Sequence, residues 1–142
     1  MGDERSRARP VAVARLIITN NEGKVLFLRR AQAEFGGGGW CLPGGKVDYR
    51  ESVEGTARKE LLEETGLEAR GLQFLFFQDS LPSEVGAMHC INFYFVCKAL
   101  GELELNHESD AWAWIGSEDM DGYDIVFEND EGVRRFWGMD LT

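Results

Sequence analysis

The sequence predicts an α/β domain in which a mixed β-sheet carries packed helices. Three observations lead there. Several apolar, β-branched or aromatic segments are separated by turn residues. One segment, Ser52 to Thr65, has helical periodicity and ends on Gly66, where a C-cap glycine belongs. The 142 residues, 44% of them hydrophobic, suit one ordinary core.

The elements follow in order. Val11 to Thr19 is β-branched and predicts a strand. Asn20-Asn21-Glu22-Gly23 is a turn signal, and Lys24 to Arg30 returns from it, which predicts a hairpin. Residues 31–44 are irregular and contain the unbroken run Gly36 to Gly39. After the helix, Leu72 to Gln78, His89 to Ala99 and Ala111 to Ile115 predict strands. Ser117 to Met120 predicts a short capped helical turn, and Glu131 to Met139 a closing helix. Met1 to Pro10 is polar and is expected to be a flexible tail, leaving 11–142 as a single domain. There is no repeat, low-complexity tract or linker.

Acidic residues outnumber basic ones 25 to 15, for a net charge of −10. That disfavours stable nucleic-acid binding. A phosphate-bearing substrate would need a local cation to approach. The same charge also serves solubility, so it decides nothing alone. Cys41, Cys90 and Cys97 have no metal-ligand spacing, and an odd count argues against a disulfide framework. The expected setting is reducing and cytoplasmic. No apolar run approaches the roughly 18 residues of a membrane span, and the tail lacks the apolar stretch of a signal peptide.

The chemistry concentrates between Gly45 and Leu67. At about 100° per residue, Val53, Ala57 and Leu61 form an apolar stripe. Glu64 falls inside the stripe, Glu60 borders it, and Glu63 lies further out on the same side. Like charges at i,i+4 oppose each other, and the C-terminal end of a helix disfavours anions. A hard divalent cation with oxygen ligands would compensate. A solvated acidic face is the competing reading. Leu62, opposite the stripe, suggests that the helix is covered on two sides, which weighs against it.

The spacing G-x5-E-x7-R-E-U-x-E-E-x-G-U, with U a bulky aliphatic residue, is the signature of the Nudix family. Gly45, Glu51, Glu60, Leu61, Glu63, Glu64, Gly66 and Leu67 match it, and Leu42-Pro43-Gly44 resembles the usual lead-in. The chain therefore resembles Nudix hydrolases, and Arg29-Arg30-Ala31 is similar to MutT-like members. Glu108 followed by Trp114 resembles the family's downstream segment. One position departs: Lys59 stands where the family has arginine, keeping the charge but losing the planar fork. An i,i+4 pair from Lys59 to Glu63 remains available.

The resemblance implies an α/β/α sandwich with a mixed central sheet. It implies that Glu60 and Glu64 coordinate Mg²⁺ (or Mn²⁺), with Glu63 assisting and the Gly44 carbonyl adding a ligand. Glu51 would pair with Lys59 and brace the loop. Arg30 matches an arginine that contacts phosphate in MutT-like relatives, although a surface charge is its plain alternative. Glu108 would be a further metal ligand or a general base, or else a solvated loop residue. Trp40, Phe35 and Trp112 are candidates for stacking on a base or sugar, with packing as their default, and His107 is better read as a surface residue. Gly36 to Gly39 fits neither a Walker loop nor G-x-G-x-x-G, because Trp40, Cys41, Leu42 and Val47 fall on required positions. It is expected to be a flexible hinge.

The implied activity is metal-dependent hydrolysis of a phosphoanhydride in a nucleoside diphosphate linked to another group. The substrate would be a nucleotide-type small molecule, such as a nucleotide sugar, ADP-ribose or a nucleoside triphosphate. The alternative is a weak Nudix-like domain that binds a nucleotide as a sensor. Family members often pair, so a homodimer is the assembly to test.

Overall fold

The computed structural model describes residues 9–84 and 87–139. Residues 1–8, most of the expected tail, lie outside them. The order is β1 (Val11–Ile18), β2 (Val25–Arg30), β3 (Trp40–Cys41), β4 (Gly44–Lys46), α1 (Val53–Thr65), β5 (Glu68–Ser80), β6 (Cys90–Leu100), β7 (Ser109–Ile115), a 3₁₀ turn (Met120–Gly122) and α2 (Asn129–Trp137).

The strands form two sheets, ordered β4-β1-β6-β5 and β3-β2-β7. The first is mixed, because β1 runs parallel to β6 and antiparallel to β4. Alternate residues of the central strands explain the layering. Ala14, Leu16 and Ile18 of β1, with Leu26 and Leu28 of β2, pack with Ala57 and Leu61 of α1. Ile17, Val25 and Phe27 point the other way and pack with Val133 of α2. Both sheets contribute to both clusters, so together they act as one split β layer between helices. Strands covered on both faces read as continuous apolar runs, which is the pattern of β2.

The predicted hairpin is present only as its turn. The Asn20 side chain accepts from the Glu22 and Lys24 amides, and Thr19 bridges Val25. The strands then part into different sheets. Local turn chemistry sets a connection, whereas ladder partners are chosen by distant strands. β5 starts earlier than expected and is interrupted by register shifts around Gly71, which has φ 65°. The 3₁₀ turn falls at Met120, and Asp119 gives it no side-chain cap. Gly132 lies inside α2 rather than at its end, because an added Cβ would meet the Tyr94 ring at 2.3 Å.

Gly36 to Gly39 is a packed turn, not a hinge. Gly36 and Gly38 have φ of 78° and 85°. A Cβ on Gly37 would sit 2.6 Å from the Gln32 carbonyl oxygen, and one on Gly39 would sit 2.5 Å from Val126. The run is glycine because the chain doubles back with no room for side chains.

Helix α1 matches its caps. The Ser52 hydroxyl accepts from the Gly55 amide at 2.9 Å. Gly66 adopts φ 73° and its amide donates to the Leu62 carbonyl. Leu62, however, is 52% exposed. The helix is covered on one side only, so Leu62 gives no argument against a solvated acidic face.

Candidate active site

The burial of Glu64 supplies that argument. Its side chain lies within the apolar stripe and is only 5% exposed. The Gly44 amide donates to Glu64 Oε1 at 3.3 Å. Burial pushes the Glu64 carboxyl well above the ordinary carboxylate range, and the charges of Glu108 and Glu60 push it further. The Gly44 amide and Arg15 partly oppose this. Glu60 is half-buried, lies within hydrogen-bonding reach of Glu64, and is raised by burial and by Glu63 and Glu108. A cluster that resists its own ionisation needs a cation or a proton among its members.

Two glycines let this cluster form. Gly44 has φ 151°, and a Cβ there would lie 1.9 Å from the Ala14 carbonyl oxygen of the neighbouring strand. A Cβ on Gly45 would lie 2.7 Å from the Glu60 carboxyl carbon. The backbone of β4 thus approaches the helix as closely as a bare chain allows.

The donor set is all oxygen and suits a hard divalent ion. Glu60 and Glu64 would hold it, with the Gly44 carbonyl close by. Among the described residues, no group of three His, Cys, Asp or Glu side chains is arranged to hold a metal ion. Glu63 is exposed on the helix, and Glu108 is half-buried in the lining of the cleft.

Lys59 does not pair with Glu63 in this structure. Its ammonium donates to both Glu51 carboxylate oxygens, at 2.9 and 2.8 Å, and reaches Asp48 at 3.6 Å. These contacts hold the Lys59 pKa above its ordinary value. The residue ties the loop after β4 to α1. Arginine at this position should make the same two-oxygen contact through its fork. Lys59→Arg is therefore expected to keep or raise kcat on the best substrate, and a loss of about tenfold or more would show a site built around lysine.

A cleft of about 680 Å³ opens beside these groups. Glu60, Glu108, Gly44, Gly45, Arg30 and Phe35 line it, as do Arg15, Lys46, Phe127 and Glu128, which sequence reasoning missed. Arg30, at the end of β2, donates to the Phe35 carbonyl at 3.0 Å and lies over the Phe127 ring. Arg15 lies over the same ring and donates to the Leu42 carbonyl, and among the described residues its buried Nε has no hydrogen-bond partner. A lone arginine within the apolar run VAVARLII was the available signal for Arg15. Phe35 is 79% exposed and stacks on Phe127. Trp40 is not brought to the cleft: it packs edge-on against Tyr123 beside the core. Trp112 is exposed on β7, and His107 is exposed in the loop before it.

The NUDIX domain family model matches residues 8–136. The nucleoside triphosphatase NudI of Klebsiella pneumoniae (strain 342) is 30% identical over 119 residues, 76% of this chain and 84% of that protein. A putative 8-oxo-dGTP diphosphatase of Bacillus subtilis (strain 168) is 41% identical over 54 residues, covering 38% of this chain and 34% of its own length. Among solved structures, a MutT NUDIX hydrolase from Burkholderia pseudomallei superposes with a TM-score of 0.79 at 23% identity, covering 89% of this chain and 97% of that one. The NUDIX domain of Shewanella oneidensis NrtR, cocrystallised with ADP ribose, gives 0.75 at 17% identity, covering 96% and 92%. The chain belongs to the Nudix family and is a hydrolase of nucleotide pyrophosphate bonds. Among the described residues, no helix is long and apolar enough to cross a membrane.

Proposed function

We propose that this hydrolase acts on a nucleoside triphosphate and releases a nucleoside monophosphate and pyrophosphate, with Mg²⁺ or Mn²⁺ as cofactor. The observation that carries the reading is the buried Glu64 carboxyl, set against Glu60 and the bare backbone of Gly44 behind an open cleft. A divalent ion bound there would polarise a phosphoryl oxygen and lower the pKa of an attacking water. The chain's own groups do the rest. Glu60 and Glu64, with Glu63 in support, would supply the anionic ligands. Glu51 and Lys59 hold the loop against the helix. Arg15, Arg30 and Lys46 add positive charge to the cleft wall, where a polyphosphate would lie. Glu108 lines the cleft and would take a proton or complete the ligand set.

A cleft of this volume suits a mononucleotide. The triphosphate is preferred over nucleotide sugars and ADP-ribose because the relative matched over most of its length is a nucleoside triphosphatase. A panel of these three classes with Mg²⁺, with products identified by mass, tests the choice. Monophosphate and pyrophosphate from triphosphates are expected. A panel in which only nucleotide sugars or ADP-ribose are cut would overturn it.

One observation favours the second reading, nucleotide binding without useful turnover. Lys59 stands where the family has arginine, so the planar fork that would fix Glu51 is missing. Binding of triphosphates with no product from any of them would put that reading ahead.

A further inference from the structure

The two sheets present four edge strands, β4, β5, β3 and β7, and the first three are guarded. β4 is only three residues long. β5 is broken by two register shifts, and Arg135 donates to its Phe77 carbonyl at 3.3 Å. β3 is bridged by Ile125, with the Trp40 amide donating to the Asp124 carbonyl and the Val126 amide to the Trp40 carbonyl. Short edges, bulges and covering groups all keep an edge from pairing with another chain. β7 has none of these. It pairs with β2 without interruption from Ala111 to Ile115. Among the described residues, no backbone hydrogen bond reaches residues 110–115 from any element but β2. Every second residue of such a strand turns its N–H and C=O outward, so β7 offers a row of free donors and acceptors.

Two side chains mark this edge. Trp112 and Trp114 stand opposite Leu28 and Leu26, so both rise from the face that carries those leucines. They are 49% and 36% exposed. Neighbouring aromatic rings beside an open edge make a contact surface. On the opposite face Ala111 and Ala113 are small and half-buried. The charges nearby say what fits. Between Lys98 and Arg134 the sequence holds no lysine or arginine. Glu102, Glu104, Asp110, Glu118 and Asp119 flank or begin the strand and are exposed. Of these only Asp110 has an ion-pair partner among the described residues, Arg29. Leu103 and Leu105 pack into the cluster that holds Leu26 and Leu28, which brings Glu102 and Glu104 to the tryptophan side of the sheet. A second copy of a chain with net charge −10 would set these acids against their own kind. A basic segment meets them with opposite charge, and its cations can lie over the tryptophan rings.

We infer that β7 is a docking edge for an extended basic segment of a partner protein. The segment adds a strand, with Arg or Lys at alternate positions over Trp112 and Trp114 and apolar residues over Ala111 and Ala113. None of these four residues lines the cleft, and the inference does not rest on the hydrolase reading. The probe is a blocked peptide alternating arginine and valine, titrated into the full chain without nucleotide or metal and followed by calorimetry. A Kd of about 100 μM or tighter is expected at low salt. Methylating the peptide's backbone nitrogens at alternate positions removes ladder donors and keeps the charge. In one of the two registers it should weaken binding by about tenfold or more. Trp112→Ala, at an exposed position, should cost a similar factor. No binding at about 1 mM peptide would overturn the inference. So would methylated peptides that bind as well as the parent peptide in both registers, which is adsorption to an acidic surface. A folded Trp112→Ala that binds as tightly as the parent would do the same. Two other occupants would also displace it. A dimer in sedimentation that Trp112→Ala dissociates would assign the edge to a second copy. Peptide binding that appears only after Arg5→Glu and Arg7→Glu would assign it to the chain's own N-terminus.

Discussion

Glu64→Gln is expected to lower kcat by at least about 100-fold, matching the loss of roughly 2.7 kcal/mol or more of preorganised charge at the reacting centre. The substitution preserves shape and the hydrogen bond available to the Gly44 amide, and it removes an anion from a nearly buried position. Without metal, the melting temperature should hold or rise. Burial and the neighbouring Glu60 and Glu108 charges already oppose ionisation of this carboxyl. With metal the order reverses. A ligand that binds only the native state adds RT ln(1 + [L]/Kd) to stability, so Mg²⁺ should stabilise the variant less than the parent. Melting curves with and without Mg²⁺, read beside kcat, separate this account from a solvated acidic helix. The latter predicts no change in any of the three quantities.

Gly44→Ala should be the most damaging change at the site for stability. The new methyl would meet the Ala14 carbonyl oxygen at 1.9 Å, with φ at 151°. Neither a side-chain rotation nor a small backbone shift relieves a contact of that kind. Either β4 leaves β1, or the strand distorts along its Gly44 to Arg15 pairing. Backbone strain and overpacking together should cost about 3 kcal/mol or more, which for a chain of this size lowers the melting temperature by about 10 °C. Activity should fall as well, because the same strand sets the wall against which Glu60 and Glu64 stand. A melting temperature within about 2 °C of the parent would show that β4 is not held as described.

The legible parts of the molecule were those with local causes. Ser52 and Gly66 bracket α1 through hydrogen bonds to residues three and four positions away, so their meaning is carried in a short stretch of sequence. The burial of Glu64 followed from its phase on the helix. The Glu51 to Lys59 tie followed from the family spacing and is present as a two-oxygen contact.

What was not legible depends on elements far apart in the chain. The turn at Asn20 says nothing of whether β1 will pair with β2, and it does not. The glycine run looked mobile because glycine permits motion, yet the crowding by Gln32 and Val126 appears only in three dimensions. Trp40 is a candidate for stacking on a base with packing as its default, and β3 turns it toward Tyr123, which only the fold reveals. The cleft wall draws Arg15 from β1, Arg30 from β2, Ser80 from β5 and Phe127 from the turn before α2. No local pattern links those four positions. Only the isolated charge of Arg15 in an apolar strand hinted at its place.

The claim at the centre of this account is that the acidic cluster of α1 works through a bound divalent cation. The direct measurement is hydrolysis of the best nucleotide substrate by the full chain in excess EDTA, then after addition of Mg²⁺ or Mn²⁺. The account predicts that chelation abolishes product formation and that either ion restores it. Full activity in excess EDTA would contradict it.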